Sequence, residues 1–234
     1  MPGSWTRALN LYCYPVDLGS YHRSHKFPGF FEILIAGDRS STIAFENHFR
    51  EAAPNHIAAF FEVVFWKLYS QPGRRDGKTD SVINSVQNNN ILPKILWDTV
   101  LKFINNQNIV NLRSIRTMLG FTSPVLAITL TIPAFTCPDK FPMVDTQVAK
   151  WVNEHFAEHN IDKINNLTPF NFKGVLRDND FNNYLNWVAW CRETSEILTR
   201  LTKGKWRARD VEMAVFTAQR NKLLVNPLTK TICT

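Results

Sequence analysis

Residues Ile57 to Tyr69 read IAAFFEVVFWKLY, with Glu62 and Lys67 the only charges in the run. A helix that is apolar on nearly every face must be surrounded by other elements, so this segment predicts the centre of a helical bundle. It is too short for a membrane span, which needs about 18 or more apolar residues, and Val125 to Pro133 is shorter still. The chain is therefore constrained to wrap amphipathic helices around an internal one.

The rest of the sequence supplies them. Apolar residues recur at helical spacing from Ile43 onward, and helices are expected near 43–52, 79–88, 92–106, 111–119, 124–134, 145–158, 179–202 and 207–220, with 56–70 at the core. Residues 1–42 are rich in Gly, Pro, Ser and aromatic residues and read as an irregular N-terminal arm. It carries a short strand or hairpin at Phe31-Glu32-Ile33-Leu34-Ile35-Ala36, before the turn at Gly37-Asp38. Ser70 to Lys78 reads as a breaker-rich basic loop, and the Asn88–Asn90 and Asn105–Asn108 stretches read as helix ends and turns. The expected architecture is a mostly α protein, with the arm at 1–42 and a helical domain over 43–234.

At 234 residues the chain can bury a sizeable core without a disulfide framework or structural metal. Cys13, Cys137, Cys191 and Cys233 form no CxxC spacing, which argues against zinc ribbons and cysteine-held iron–sulfur clusters. Met1 to Tyr14 has no basic region followed by an apolar core, so an intracellular protein, cytoplasmic or nuclear and with no membrane partner, is expected. A net charge of +7 and a pI of 9.3 favour a polyanionic partner, although solubility charge explains the same numbers.

The stretch from Asn111 to Trp151 carries most of the information. Leu112, Ile115, Met118 and Leu119 describe a helix that Gly120 stops, and Ser123-Pro124 suits a new helix as N-cap and first residue. This predicts a helix–hairpin–helix whose outward amides take a phosphate oxygen without reading a base. An ordinary helical hairpin has the same pattern. Leu126, Ile128, Leu130 and Ile132 also alternate with Ala127, Thr129 and Thr131 at the period of a half-buried strand. Asp145, ahead of an amphipathic run, suits a helix N-cap, and it equally suits a carboxylate that stabilises an oxocarbenium-like sugar and orients water.

These residues together resemble the helix–hairpin–helix DNA glycosylase superfamily, whose signature is a hairpin of the form LPGVGxKTA followed by VDTHV. The counterparts here are Met118 to Leu126 and Val144-Asp145-Thr146-Gln147-Val148. More weakly, Phe61 to Gln71 is similar to the family helix ending in Ser-Gln, and the likeness covers roughly residues 56–160. The resemblance implies a two-lobed helical fold, with the helices of 179–220 packing against the N-terminal part. It also implies an enzyme that flips a damaged or mismatched base from double-stranded DNA and hydrolyses its N-glycosidic bond.

On that likeness Asp145 is catalytic. Gly120, Thr122, Ser123 and Val125 hold the strand backbone, while Gln71, Arg74 and Arg75 probe the duplex and Lys140 contacts phosphate. The protein would act as a monomer with no cofactor beyond a possible monovalent cation on the hairpin carbonyls. Thr122 replaces the family's second hairpin glycine, the family's cysteine cluster is missing, and the span from Gln71 to the hairpin is short. Pro124 stands where bifunctional members have a lysine nucleophile, which implies a monofunctional enzyme.

Two alternatives compete: a non-catalytic DNA-binding relative, and an unrelated helical protein-interaction domain. Trp66, Trp97 and Trp151 are candidate pocket walls, more commonly core. His155 and His159 lie four apart without a third ligand, and Cys13, His22 and His25 lack a fourth, so no metal site is read. Arg207 and Arg209 either form a basic patch or pair at i, i+3 with Asp210 and Glu212.

Overall fold

A computed structural model of the chain describes residues 2–25, 37–159 and 167–228. The helices are α1 (Pro2–Asn10), α2 (Leu18–His25), α3 (Arg39–Ala52), α4 (Ala58–Leu68), α5 (Pro72–Asn88), α6 (Pro93–Asn105), α7 (Ile109–Met118), α8 (Leu126–Thr129), α9 (Thr131–Thr136), α10 (Thr146–His159), α11 (Phe181–Thr202) and α12 (Ala208–Asn221), with a 3₁₀ turn at Asp178–Asp180. The mostly α expectation holds among the described residues. No described helix is long and apolar enough to cross a membrane.

The chain divides into two compact units. The middle unit is Tyr14–Thr136; the other is discontinuous and joins Met1–Cys13 to Cys137–Thr234.

In the middle unit α4 is the hub, as the apolar run predicts: Phe60, Phe61, Val63, Val64, Phe65, Trp66 and Leu68 are all buried. It contacts α2, α3, α5, α8 and α9. Phe135 of α9 packs its ring edge against Phe45, Phe49 and Trp66, with centroids 5.3, 6.0 and 5.1 Å away. Glu62 is wholly buried on this otherwise apolar helix, and its carboxylate lies 3.4 Å from His48 Nε2.

Three expectations are corrected here. The Ser70–Lys78 loop is the start of α5: Pro72 stands in the first turn, where its missing N–H costs nothing. Thr79, Val82, Ile83 and Val86 then form a buried stripe that outweighs about 1 kcal/mol for each of the exposed glycines Gly73 and Gly77. The N-terminal arm is not irregular throughout, because α1 and α2 occupy much of it; the strand expected at 31–36 lies outside the described residues. The single helix expected over 124–134 is two short ones. Pro133 offers no N–H to the Thr129 carbonyl and its ring crowds that carbonyl, so the helix breaks between α8 and α9. The strand alternative for 126–132 is not adopted.

In the discontinuous unit α12 is the hub, contacting α1, α10 and α11. Trp5 of α1 sits 6.4 Å from Trp151 of α10 and 6.2 Å from Trp190 of α11, and its Nε1 donates to the Asn226 carbonyl at 3.1 Å. The 3₁₀ turn opens α11 around Asp180, whose buried carboxylate accepts the amides of Asn171 and Arg177 at 2.7 and 3.2 Å.

Candidate functional site

Gly120 closes α7 where a left-handed residue is required, with φ +73°. The Gly120 amide donates to the Thr117 carbonyl at 2.9 Å and the Phe121 amide to the Arg116 carbonyl at 3.0 Å, the paired bonds of a Schellman closure. The turn needs no second glycine, because Thr122 is not among the residues with positive φ. The next helix starts later than Ser123-Pro124 suggests: Val125 is the extended residue before Leu126, and Ser123 caps nothing. The Ser123 carbonyl instead accepts the Val125 amide at 2.8 Å. The amides of Gly120, Phe121 and Val125 are thus committed within the hairpin. Among the described residues, those of Thr122 and Ser123 donate to no other residue, and both residues are exposed.

The predicted hairpin residues come together. Gly120, Thr122, Ser123 and Val125, with Phe121 and Ile128, line one side of a cavity of about 170 Å³, and Lys78, Ser81 and Val82 of α5 line the other. Gly120 lies so close to α5 that a Cβ on it would stand 2.3 Å from both Cβ and Oγ of Ser85. Lys78, Ser81, Val82 and Ser85 are spaced i, i+3, i+4 and i+7, so one face of α5 forms the wall opposite the hairpin.

The three residues expected to probe a duplex fall at the head of α5. Gln71 and Arg74 are exposed, and the Gln71 carbonyl accepts the amides of Arg74 and Arg75 at 2.9 and 2.8 Å. Arg75 has other partners: its guanidinium lies 4.8 Å over the rings of both Phe65 and Tyr69, and its Nε donates to Asp76 at 2.9 Å. Its side chain is only 18% exposed.

Asp145 belongs to the discontinuous unit. Its Oδ1 accepts the amides of Gln147 and Val148, both at 2.9 Å, so it is the N-cap of α10. The segment before it, Phe141 to Val144, is buried and non-helical, and side chains meet the backbone groups of Pro142 and Met143. The Pro142 carbonyl accepts the Tyr184 hydroxyl at 3.1 Å, the Met143 carbonyl accepts Trp187 Nε1 at 2.9 Å, and the Met143 amide donates to Glu212 at 3.3 Å. Burial holds the Tyr184 hydroxyl well above the usual tyrosine range, so it remains a donor. Upstream, the carbonyls of Asp139 and Pro138 accept the amides of Ala208 and Arg209 at the head of α12, at 3.3 and 3.0 Å. Asp145 therefore stands on a strut anchored to α11 and α12. Lys140 begins that strut, with Nζ 5.3 Å over the Phe141 ring.

The remaining candidates resolve as structure. Arg207 forks onto Asp210 with bonds of 3.2 and 2.9 Å, and Arg209 pairs with Glu212; all four are buried, so the i, i+3 reading applies. Trp66 and Trp151 are core residues of their respective units, and Trp97 packs on Phe49 at 6.0 Å. His155 stacks on Trp151 at 4.2 Å and its Nδ1 lies 2.9 Å from the Trp151 carbonyl. The side chains of His159, His22 and His25 lie outside the described residues. Among the described residues no group of three or more His, Cys, Asp or Glu is placed to hold a metal.

Sequence reasoning missed Lys78 and Ser81. Their helical spacing to Val82 and Ser85 is the signal that would have found them, hidden by reading residues 70–78 as a loop. The chain matches no protein-family model, curated protein or solved structure with which it was compared.

Proposed function

We propose that this protein is a monofunctional DNA glycosylase of the helix–hairpin–helix type, removing a damaged or mismatched base from double-stranded DNA. The observation that carries the reading is the Asp145 strut. Nothing about helix capping requires the preceding four residues to be buried, or Pro142 and Met143 to be tied down by Tyr184, Trp187 and Glu212, whereas a catalytic carboxylate must be held within a fraction of an ångström. The Gly120 hairpin, with its two uncommitted amides, supports it.

In the proposed reaction the flipped nucleotide loses its base as the C1′–N bond breaks and the electron pair leaves on the base nitrogen. Positive charge develops on the sugar and is stabilised by the Asp145 carboxylate. Water adds to C1′ and its proton passes to the departing base, leaving an abasic site. Pro124 offers no amine for a Schiff base, so strand cleavage requires added alkali.

The test is single-turnover incubation with labelled duplexes carrying a panel of lesions, with and without alkali. Asn caps a helix as well as Asp does. Asp145→Asn is therefore expected to keep wild-type stability and DNA affinity while losing excision by at least about 100-fold, the scale set by single electrostatic groups. Equal excision by both proteins overturns the assignment of Asp145. Salt-sensitive binding with no excision by either favours the non-catalytic relative.

A further inference from the structure

The face formed by α1 and the end of α12 takes no part in the proposed chemistry. Trp5 reaches Asn226 while the Tyr12 ring packs 6.2 Å from Phe216, so α1 runs antiparallel to α12 and its start lies beside the segment that follows α12. Gly3, Ser4 and Arg7 on one side and Leu223 and Leu224 on the other line a groove of about 360 Å³. The Leu11 amide donates to the Arg7 carbonyl at 3.1 Å, so the helical turn runs on to Leu11. Gly3, Arg7 and Leu11, four apart, therefore share one side of α1. Leu224 is 78% exposed and Leu11 47% exposed, two large aliphatic side chains that the fold leaves to solvent.

The charges that α1 and the end of α12 contribute are all positive. Arg7, Arg220 and Lys222 are exposed, and no acidic residue occurs in residues 1–16 or 213–234. Arg220 bridges the two segments, its Nη1 donating to the Cys13 carbonyl at 3.4 Å. Glu154 of α10 reaches the same end of α12, where its carboxylate accepts Gln219 Nε2 at 3.1 Å.

We propose that this groove docks an acidic amphipathic segment of a partner protein, its apolar side chains on Leu11, Leu223 and Leu224 and its carboxylates on Arg7, Arg220 and Lys222. Cations set around exposed leucines complement a partner that brings both chemistries on one helix, and a groove between antiparallel segments is the seat such a helix takes. Other occupants fit less well. A two-fold pairing with a second copy would set the three cations against themselves. A DNA strand would leave the leucines facing phosphate. A bilayer surface favours Trp and Tyr at the headgroup level, and here Trp5 and Tyr12 are buried while the leucines edge a concavity.

The experiment follows the fluorescence anisotropy of labelled synthetic peptides added to the full chain. The probe carries leucines at i, i+3, i+4 and i+7 and glutamates elsewhere, and it is compared with a scrambled sequence and with a version that has lysine for every glutamate. The acidic amphipathic peptide should bind, and the other two should not. Leu224→Ser and Arg7→Glu, both at exposed positions, should keep the wild-type Tm and each weaken binding about 10-fold or more. Lys102→Ala, an exposed lysine on α6, should leave binding unchanged.

The absence of binding by the acidic amphipathic peptide overturns the proposal. So does equal binding by the scrambled peptide, which would reduce the effect to net charge, or binding that neither Leu224→Ser nor Arg7→Glu weakens. Flotation with phosphatidylserine vesicles, or dimer formation, that Leu224→Ser abolishes while no peptide binds would overturn it in favour of a membrane or of a second copy. The excision assay is independent of each of these outcomes, so docking and the glycosylase reading stand or fall separately.

Discussion

Gly120 answers to two constraints at once. Its positive φ costs an L side chain about 1–2 kcal/mol, and an added Cβ would also meet Ser85 at 2.3 Å. Gly120→Ala should therefore cost more than about 2 kcal/mol in denaturant unfolding. Ser85→Ala in that background should give little back, because the Ser85 Cβ is itself in the contact. A cost below about 1 kcal/mol would mean that the hairpin and α5 can separate freely. The stop at Gly120 was legible because glycine after a helical run has one common use. The sequestration of Arg75 was not, because it depends on Phe65 and Tyr69, which become its neighbours only once α4 and α5 have packed. Asp145 was legible as a cap and as a candidate carboxylate; the side chains that anchor its strut come from α11 and α12, and no local pattern links them to it.

At the scale of elements, the sequence marks helices better than it marks their joints. Proline and glycine in residues 72–77 signal a break and a first turn alike, and the buried stripe that decides between them begins only at Thr79. The head of α3 is unambiguous. Asp38 accepts the Ser41 amide at 2.7 Å, and the hydrogen bonds from Ser41 hold its carboxyl below the usual aspartate range. A lowered value places the stabilisation above the unfolded-state value of about 3.9, and it is lost as the pH falls through the folded-state value. Asp38→Ala should thus lower stability by about 1 kcal/mol at pH 7. The gap from the wild type should close as the pH approaches 2. Thermal unfolding at the two ends of that range checks it, and a gap that widens in acid would contradict the assignment.

For the whole molecule, the thiols report on the units. Cys13 is exposed and Cys137 half-buried, whereas Cys191 is fully buried on α11 and its thiol is pushed well above the usual cysteine range by burial. Since the thiolate is the reactive form, iodoacetamide at pH 8 should label Cys13 rapidly and Cys191 only as the discontinuous unit opens. Peptide mapping by mass against denaturant gives both rates, and native labelling of Cys191 at the pace of Cys13 would show that α11 is not packed as described. The tie between Trp5 and Asn226 sets an order of events during synthesis. The two residues are 221 positions apart, and at about 5–20 residues per second the ribosome needs on the order of 10–40 seconds to pass from one to the other. The middle unit is then fully translated while α1 still lacks α10, α11 and α12, so the apolar face of Trp5 and Leu9 awaits those helices, the natural target for a chaperone.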